Sequence, residues 1–448
     1  MSPKDTKKIG IIGAGYAYLT TATCLAELGN RVTVIETDPK KLFALMSGRL
    51  PVDEPGLLEF WKNNQSKGKI VVTGIYSDGL QGADFVFIAV GTPSGRNGKP
   101  DLKWVRAVAR NVAETASGSL IIVLQSTVPV GTADMITEML TQYNKNKYRL
   151  SVISNPEFLR EGMAVSDFMN PSQIVIGGTD QNDIDAVASL YSSLNSPLIV
   201  CDNKTAEMSK YVSNTFQATR ISFINEIALL CDECGADVKK VAEIASLEPR
   251  YSHDNMNAGL GWGGGSLSSD VRGLIYMAET YQIPFPLMHA VQRVNQRQPR
   301  LVVEKLRYLL GSLQGKTIGL LGLSFRPGSS DMSEARSVEV IRLLEDNGCH
   351  VKAYDPMPME EAARIMPRVI YCEDAYKVAK GSDAIILVTE WDEFKGLNLK
   401  KMASLMVSPV MIDSHNFYNP EEMIRAGFLY DGIGRRITGQ KMSHVLLT

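Results

Sequence analysis

The chain has little of what membranes, metals and polyanions demand. No segment of its 448 residues reaches the run of about 20 apolar residues that spans a bilayer. The opening Met-Ser-Pro-Lys-Asp-Thr-Lys-Lys leads straight into a strand-like Ile-Gly-Ile-Ile-Gly, with no apolar stretch of signal-peptide length. A cytoplasmic location is therefore expected. Charge of neither sign is in excess: 47 Lys and Arg against 49 Asp and Glu leave a net −2, which gives no electrostatic reason for nucleic acid or an anionic membrane as partner. The five histidines are scattered, and of the six cysteines only Cys231 and Cys234 form a C-x-x-C pair. A structural zinc site needs a second ligand pair at matching spacing, so no metal is expected and the thiols read as partly buried groups in a reducing compartment.

What is present is the composition of an ordinary globular protein, 44% apolar and 21% charged, at a length that suits about three domains. From Ile9 to Cys201, β-branched apolar runs alternate with amphipathic stretches. Strands are expected at Ile9–Ile12, Arg31–Glu36, Asp84–Val90, Leu120–Gln125, Leu150–Ser154, Gln173–Ile176 and Leu198–Cys201, the pattern of βαβ units around a buried parallel sheet. Lys204 to Cys234 contains neither Gly nor Pro and predicts one long helix, with further helices to Leu310. Strand-like segments resume at Lys316–Phe325 and continue at Val351–Tyr354, Ala384–Val388 and Val410–Asp413. The expected architecture is α/β: two Rossmann-like, doubly wound parallel-sheet domains joined by a long central helix and a helical domain. The boundaries fall at 1–203, 204–312 and 313–448.

Gly13-Ala-Gly15-Tyr16-Ala-Tyr18 lies between the first strand and a helical run, where glycines let backbone N–H groups approach a pyrophosphate at a helix N-terminus. Glu36 closes the next strand, placed to accept from a ribose diol and to repel a 2′-phosphate, which favours NAD over NADP. The third glycine of the fingerprint is replaced by Tyr18.

Several motifs follow in order: Gly91-Thr-Pro-Ser94, Ser126-Thr-Val-Pro-Val-Gly-Thr132, Asn155-Pro-Glu-Phe-Leu-Arg-Glu-Gly162, Ala206-Glu-Met-Ser-Lys-Tyr-Val-Ser-Asn214, Ile221-Ser-Phe-Ile-Asn-Glu-Ile-Ala228 and Gly259-Leu-Gly-Trp-Gly-Gly-Gly-Ser-Leu-Ser-Ser-Asp270. Together they resemble the UDP-glucose/GDP-mannose dehydrogenase family over nearly the whole chain. The resemblance implies removal of two hydrides from C6 of a nucleotide sugar. It assigns Gly13, Gly15, Tyr16, Glu36, Thr92 and Thr127 to NAD. Lys210 would stabilise the developing oxyanion with Asn214 beside it, while Thr127, Glu157 and Asp270 would position water and carry protons. Phe158, Leu159, Glu161, Gly263, Phe325 and Arg326 would line the sugar nucleotide. Arg250 would reach the substrate of a second copy, so a homodimer is implied. The wording of the Lys210 helix is closer to the UDP branch, making a UDP-sugar the better guess.

Four departures bear on the chemistry. Ser266 stands where the family has its nucleophilic Cys, and Ser269 where it has a Lys. Ser333 replaces an arginine near the cofactor pyrophosphate, and His415 one near the substrate phosphates. A thiol with pKa about 8.5 is readily made nucleophilic, whereas a hydroxyl needs an adjacent base, and the nearest histidine in sequence is His253. Lost guanidiniums also remove bidentate phosphate contacts. Three readings stay open: oxidation that stops at or passes through the aldehyde, full four-electron oxidation with Ser266 or a hydrated aldehyde in the second step, and a non-catalytic nucleotide-sugar or NAD binder.

Overall fold

Fourteen strands among the described residues make two sheets. The computed structural model describes residues 6–13, 15–95, 97–248, 256–329 and 331–435. The first sheet holds β1 (Lys8–Ile12), β2 (Arg31–Ile35), β3 (Ile70–Thr73), β4 (Phe85–Ile88), β5 (Leu120–Leu124), β6 (Leu150–Ser154), β7 (Ile174–Gly177) and β8 (Leu198–Cys201). Their order is β3-β2-β1-β4-β5-β6-β7-β8. Every pairing is parallel except β6 with β7, which meet antiparallel at Ser154 and Gly177. The expected parallel-sheet domain is found, with this one antiparallel contact added, and β3 is a strand that periodicity did not reveal: its Ile-Val-Val-Thr has one fully buried residue. β4, Phe-Val-Phe-Ile, is buried at every residue. That is how an apolar run without alternation reads when helices cover both faces.

The second sheet holds β9 (Thr317–Leu321), β10 (His350–Tyr354), β11 (Ile370–Tyr371), β12 (Ala384–Leu387), β13 (Val410–Asp413) and β14 (Leu429–Gly432). It is parallel throughout, in the order β11-β10-β9-β12-β13-β14. Both sheets thus reverse their winding after the first strand, between β1 and β4 in one and between β9 and β12 in the other. Ligands of open α/β sheets bind outside the carboxyl ends of the strands at such reversals.

A helix runs unbroken from Asn203 to Cys234 and stops at Gly235, whose φ of +79 is the left-handed geometry that ends a helix at small cost only for glycine. Helices Val238–Ser246, Gly265–Thr280 and Pro286–Leu310 follow. By internal contacts the chain divides into two compact units, residues 1–213 with 272–277, and residues 214–271 with 278–448. Each has its own apolar core, around Trp61, Phe85 and Phe87 in the first and Leu320, Ile386 and Ile412 in the second. None of the described helices is long and apolar enough to cross a membrane, and no group of His, Cys, Asp and Glu among the described residues is placed to hold a metal. Cys231 is buried and Cys234 exposed, and neither is in a disulfide.

Candidate active site

In the first unit β1 ends in a turn that only glycine can make. Gly13 has φ +128, and a Cβ there would lie 2.7 Å from the Ala89 carbonyl oxygen, which follows β4. At Gly15, which caps helix Tyr16–Glu27, a Cβ would meet nothing within 4 Å. A tight turn with open space above the helix start is the cradle a pyrophosphate requires, so these residues fit a dinucleotide. Glu36 is buried, and one carboxylate oxygen accepts from the Asp38 N–H at 2.8 Å.

Tyr18 does not obstruct the cradle. Its side chain is 1% exposed and turns inward, its ring 3.3 Å from the position of a Gly13 Cβ. The helix face that glycine usually keeps bare is here filled by an aromatic packed into the core. Burial, and secondarily the Glu36 carboxylate, holds its phenol well above the ordinary range.

Two loops meet the helix that carries Lys210. Thr127 lies just after β5; the Thr92 hydroxyl donates to its carbonyl at 2.5 Å, and the Ser126 hydroxyl donates to Val90 O at 2.8 Å. The other loop follows β6. Asn155 is fixed by donation to Val175 O at 2.8 Å and by acceptance from the Tyr191 hydroxyl at 2.6 Å. The Leu159 N–H donates to Glu157 at 2.6 Å, and Gly162 and Ala164 donate to the buried carboxylate of Glu54 at 2.7 and 2.6 Å. The result presents Glu157 to Lys210, with Nζ to Oε1 at 3.2 Å and Nζ 5.6 Å from the Phe158 ring centre. Both charges are largely out of water, the side chains 7% and 14% exposed. Tyr16 reaches the same loop, its hydroxyl 3.5 Å from Leu159 O, and Glu161 is half-buried.

In the second unit the glycine-rich loop is tied down from three directions. Its first residue, Gly259, donates to Asn225 at 2.7 Å. The Trp262 N–H donates to Asn295 at 2.7 Å, Asn295 and Arg336 donate to Trp262 O at 3.0 and 2.9 Å, and the indole donates to Ser222 at 3.0 Å. Gly261 has φ +95, and a Cβ there would collide with the Asn295 amide oxygen, which explains glycine at this point. Gly263 and Gly264 pack on Phe325: a Cβ would come within 3.3 Å of Phe325 Cβ at the first and 2.9 Å of its ring at the second. Arg326 lies with its guanidinium 5.1 Å from that ring centre.

The loop delivers helix Gly265–Thr280. Ser266 is exposed on its first turn, and Asp270, one turn on, is buried and accepts from the Asn214 amide at 2.5 Å. Beyond β13, the His415 imidazole pairs with Glu390 at 3.2 Å and lies 3.4 Å from the position of a Gly259 Cβ. Ser333 is exposed, its N–H donating to Asp331 at 2.7 Å. Arg250 and His253 lie outside the described residues.

The structure therefore brings Lys210, Glu157 and Phe158 together in one unit, and Asn214 with Asp270 and Gly263 with Phe325 in the other. Glu54, Glu207, Asn225 and Asn295 hold these pieces without having been singled out. Asn225 and Glu207 sit inside motifs already noted, so a signal was present, but no local spacing says what either one binds.

Models of one family match three successive stretches: an NAD binding domain over residues 7–195, a central domain over 204–297 and a UDP binding domain over 319–420. The chain belongs to the UDP-glucose/GDP-mannose dehydrogenase family. NAD is its cofactor, in keeping with the cradle at Gly13 and Gly15. The UDP-glucose 6-dehydrogenase TuaD of Bacillus subtilis is 39% identical over 96% of this chain and 93% of its own length. A UDP-glucose 6-dehydrogenase of Pseudomonas aeruginosa is 37% identical over 96% and 98%. Among solved structures, a UDP-glucose dehydrogenase from Pyrobaculum islandicum superimposes with a TM-score of 0.91 at 33% identity, covering 97% of this chain and 99% of its own. The UDP-D-ManNAc dehydrogenase of Pyrococcus horikoshii gives 0.85 at 27%, covering 95% and 99%.

Proposed function

We propose that this member of the family oxidises the C6 hydroxymethyl group of a UDP-linked sugar and releases the aldehyde. The observation that carries this reading is the contrast between a buried Lys210–Glu157 pair at 3.2 Å and an exposed Ser266 hydroxyl at the helix start where the family has its thiol. Gly13, Gly15, Tyr16, Glu36, Thr92 and Thr127 would hold NAD, which would supply the hydride acceptor for C6. The Lys210 ammonium stabilises the negative charge developing on the sugar oxygen, an effect strengthened by its exclusion from water. Glu157, already in contact with that ammonium, is the proton acceptor. Asn214, whose amide is held by Asp270 at 2.5 Å, and Thr127 are the other polar groups that the resemblance assigns to this step, Thr127 to position water. The family resemblance assigns Phe325, Arg326 and His415 to the nucleotide, and Phe158, Leu159, Glu161 and Gly263 to the sugar nucleotide as well.

A second oxidation requires addition to the aldehyde, and a hydroxyl adds only with a base beside it. The names of the relatives favour the other outcome, a full oxidation to the acid. Counting NADH per UDP-glucose consumed and weighing the product by mass spectrometry decides between them: one NADH and an aldehyde are expected, two NADH and an acid refute the proposal. Turnover that survives Lys210→Ala would remove Lys210 from the chemistry altogether.

The proposed enzyme is cytoplasmic and works as a homodimer, with residues 1–203 holding the cofactor, 204–312 connecting and 313–448 holding UDP. Support for the dimer comes from the long helix, where Phe216, Phe223 and Leu230 are 63%, 54% and 63% exposed at intervals of two helical turns. A second copy would cover that stripe, and light scattering that returned a monomer would exclude it.

A further inference from the structure

The carboxylate of Glu207 closes the start of helix Thr132–Tyr143 from a distance of more than seventy residues. One oxygen accepts from the Gly131 N–H at 2.6 Å and the other from the Ala133 N–H at 2.7 Å, and the side chain is buried. Glu207 stands one helical turn before Lys210 on the same helix. The segment it grips begins with Ser126 and Thr127, whose opposite end is pinned by Thr92 and Ser126 to the residues after β4. We propose that Glu207 is a positioning residue, fastening the Thr127 loop to the helix that carries Lys210 so that both groups keep one spacing through turnover. This rests on the roles proposed above for Thr127 and Lys210.

Burial pushes the Glu207 carboxyl up to about 7, against the pull of the Ala133 and Gly131 N–H groups. The charges around it are Asp134 on the capped helix, Lys204 on its own helix, paired with Asp134 at 3.0 Å, and the Lys210–Glu157 pair. Only the ionised group accepts from both N–H groups, because a protonated oxygen is a poor acceptor. Because burial opposes ionisation, the closed arrangement still loses stability relative to an opened one as pH rises through 7.

In Glu207→Gln one acceptor becomes an NH₂ that faces an N–H. Its kcat should fall between about 10- and 100-fold. KM for UDP-glucose and for NAD should change less than about threefold, and the fall of kcat as pH rises through 7 should disappear. In the unmutated protein, hydrogen exchange of the 126–135 segment, corrected for intrinsic rates, should quicken several-fold between pH 6 and pH 8. A variant that keeps both kcat and its pH limb, or exchange in this segment that does not respond to pH, overturns the proposal. Loss of the Lys210 role, seen as full turnover in Lys210→Ala with exchange still pH-dependent, is a different and distinguishable failure.

Discussion

Replacing Ser266 by cysteine tests the electron count directly. The residue is exposed on the first turn of helix Gly265–Thr280, where the N–H groups of a helix start favour a negative charge. That position stabilises a thiolate by about 0.3–1 kcal/mol, lowering a thiol from about 8.5 to roughly 8. Asp270, one turn along the same helix, opposes the effect, but its carboxylate is engaged by Asn214 at 2.5 Å. At pH 8 roughly half of the introduced thiol should be ionised, and at pH 7 roughly a tenth. Ser266→Cys is therefore expected to raise NADH from one towards two per UDP-glucose, with the acid appearing faster at pH 8 than at pH 7. Stopped-flow absorbance with a single turnover of sugar reads both hydrides, and a covalent adduct of the variant should be visible by intact-mass spectrometry. If Ser266→Cys still yields one NADH with no adduct, loss of the thiol is not what limits the reaction. If the unmutated protein already yields two, the serine was never a block.

Three further outcomes are expected. Lys305 is buried with Asp232 at 2.8 Å and Asp431 at 3.2 Å, so Lys305→Met should strand two carboxylates and lower stability in urea by about 3–5 kcal/mol; a loss under about 1 kcal/mol would contradict it. Glu36→Gln should weaken NAD binding by roughly tenfold and narrow the preference over NADP, measured by titration of the free protein, because it removes the charge proposed to meet the ribose. For Glu207 the folded-state value of about 7 lies above the ordinary 4.5, so its contribution to stability is complete below pH 4.5 and is lost as pH rises through 7. That is up to about 3 kcal/mol, absent from the urea stability of Glu207→Gln measured between pH 5 and pH 8.

Much of the architecture was legible because long elements advertise themselves. A stretch from 203 to 234 without Gly or Pro can hardly be anything but one helix, and its end at Gly235 is a conformational requirement. β3 and β11 were not legible, since four and two residues at a sheet edge carry no period, and neither was the reversed direction of β7, which depends on how the chain returns from the loop after β6. At the site, the residue types were readable but the pairings were not. Nothing near Lys210 in sequence says that its partner is Glu157, or that Asp270 holds Asn214. Tyr18 shows the same limit in another form: a large side chain in place of glycine suggests a blocked turn, yet the rotamer that points into the core leaves the turn open. Glu54 and Glu207 escaped because a cap supplied from another element leaves no trace beside the helix it caps.

That borrowed cap also decides where an anion can go. Every helix start attracts negative charge, and one set among motifs that contact a diphosphate cofactor could compete for it. The start of helix Thr132–Tyr143 is already neutralised by Glu207 and carries Asp134 in its first turn. Helix Tyr16–Glu27 has no acid in its first turn and begins at a bare glycine. The first unit thus sorts its helix ends by occupancy, silencing one with its own carboxylate and leaving the other to be completed by the cofactor. Without Glu207, the start of helix Thr132–Tyr143 would be left to Asp134 alone.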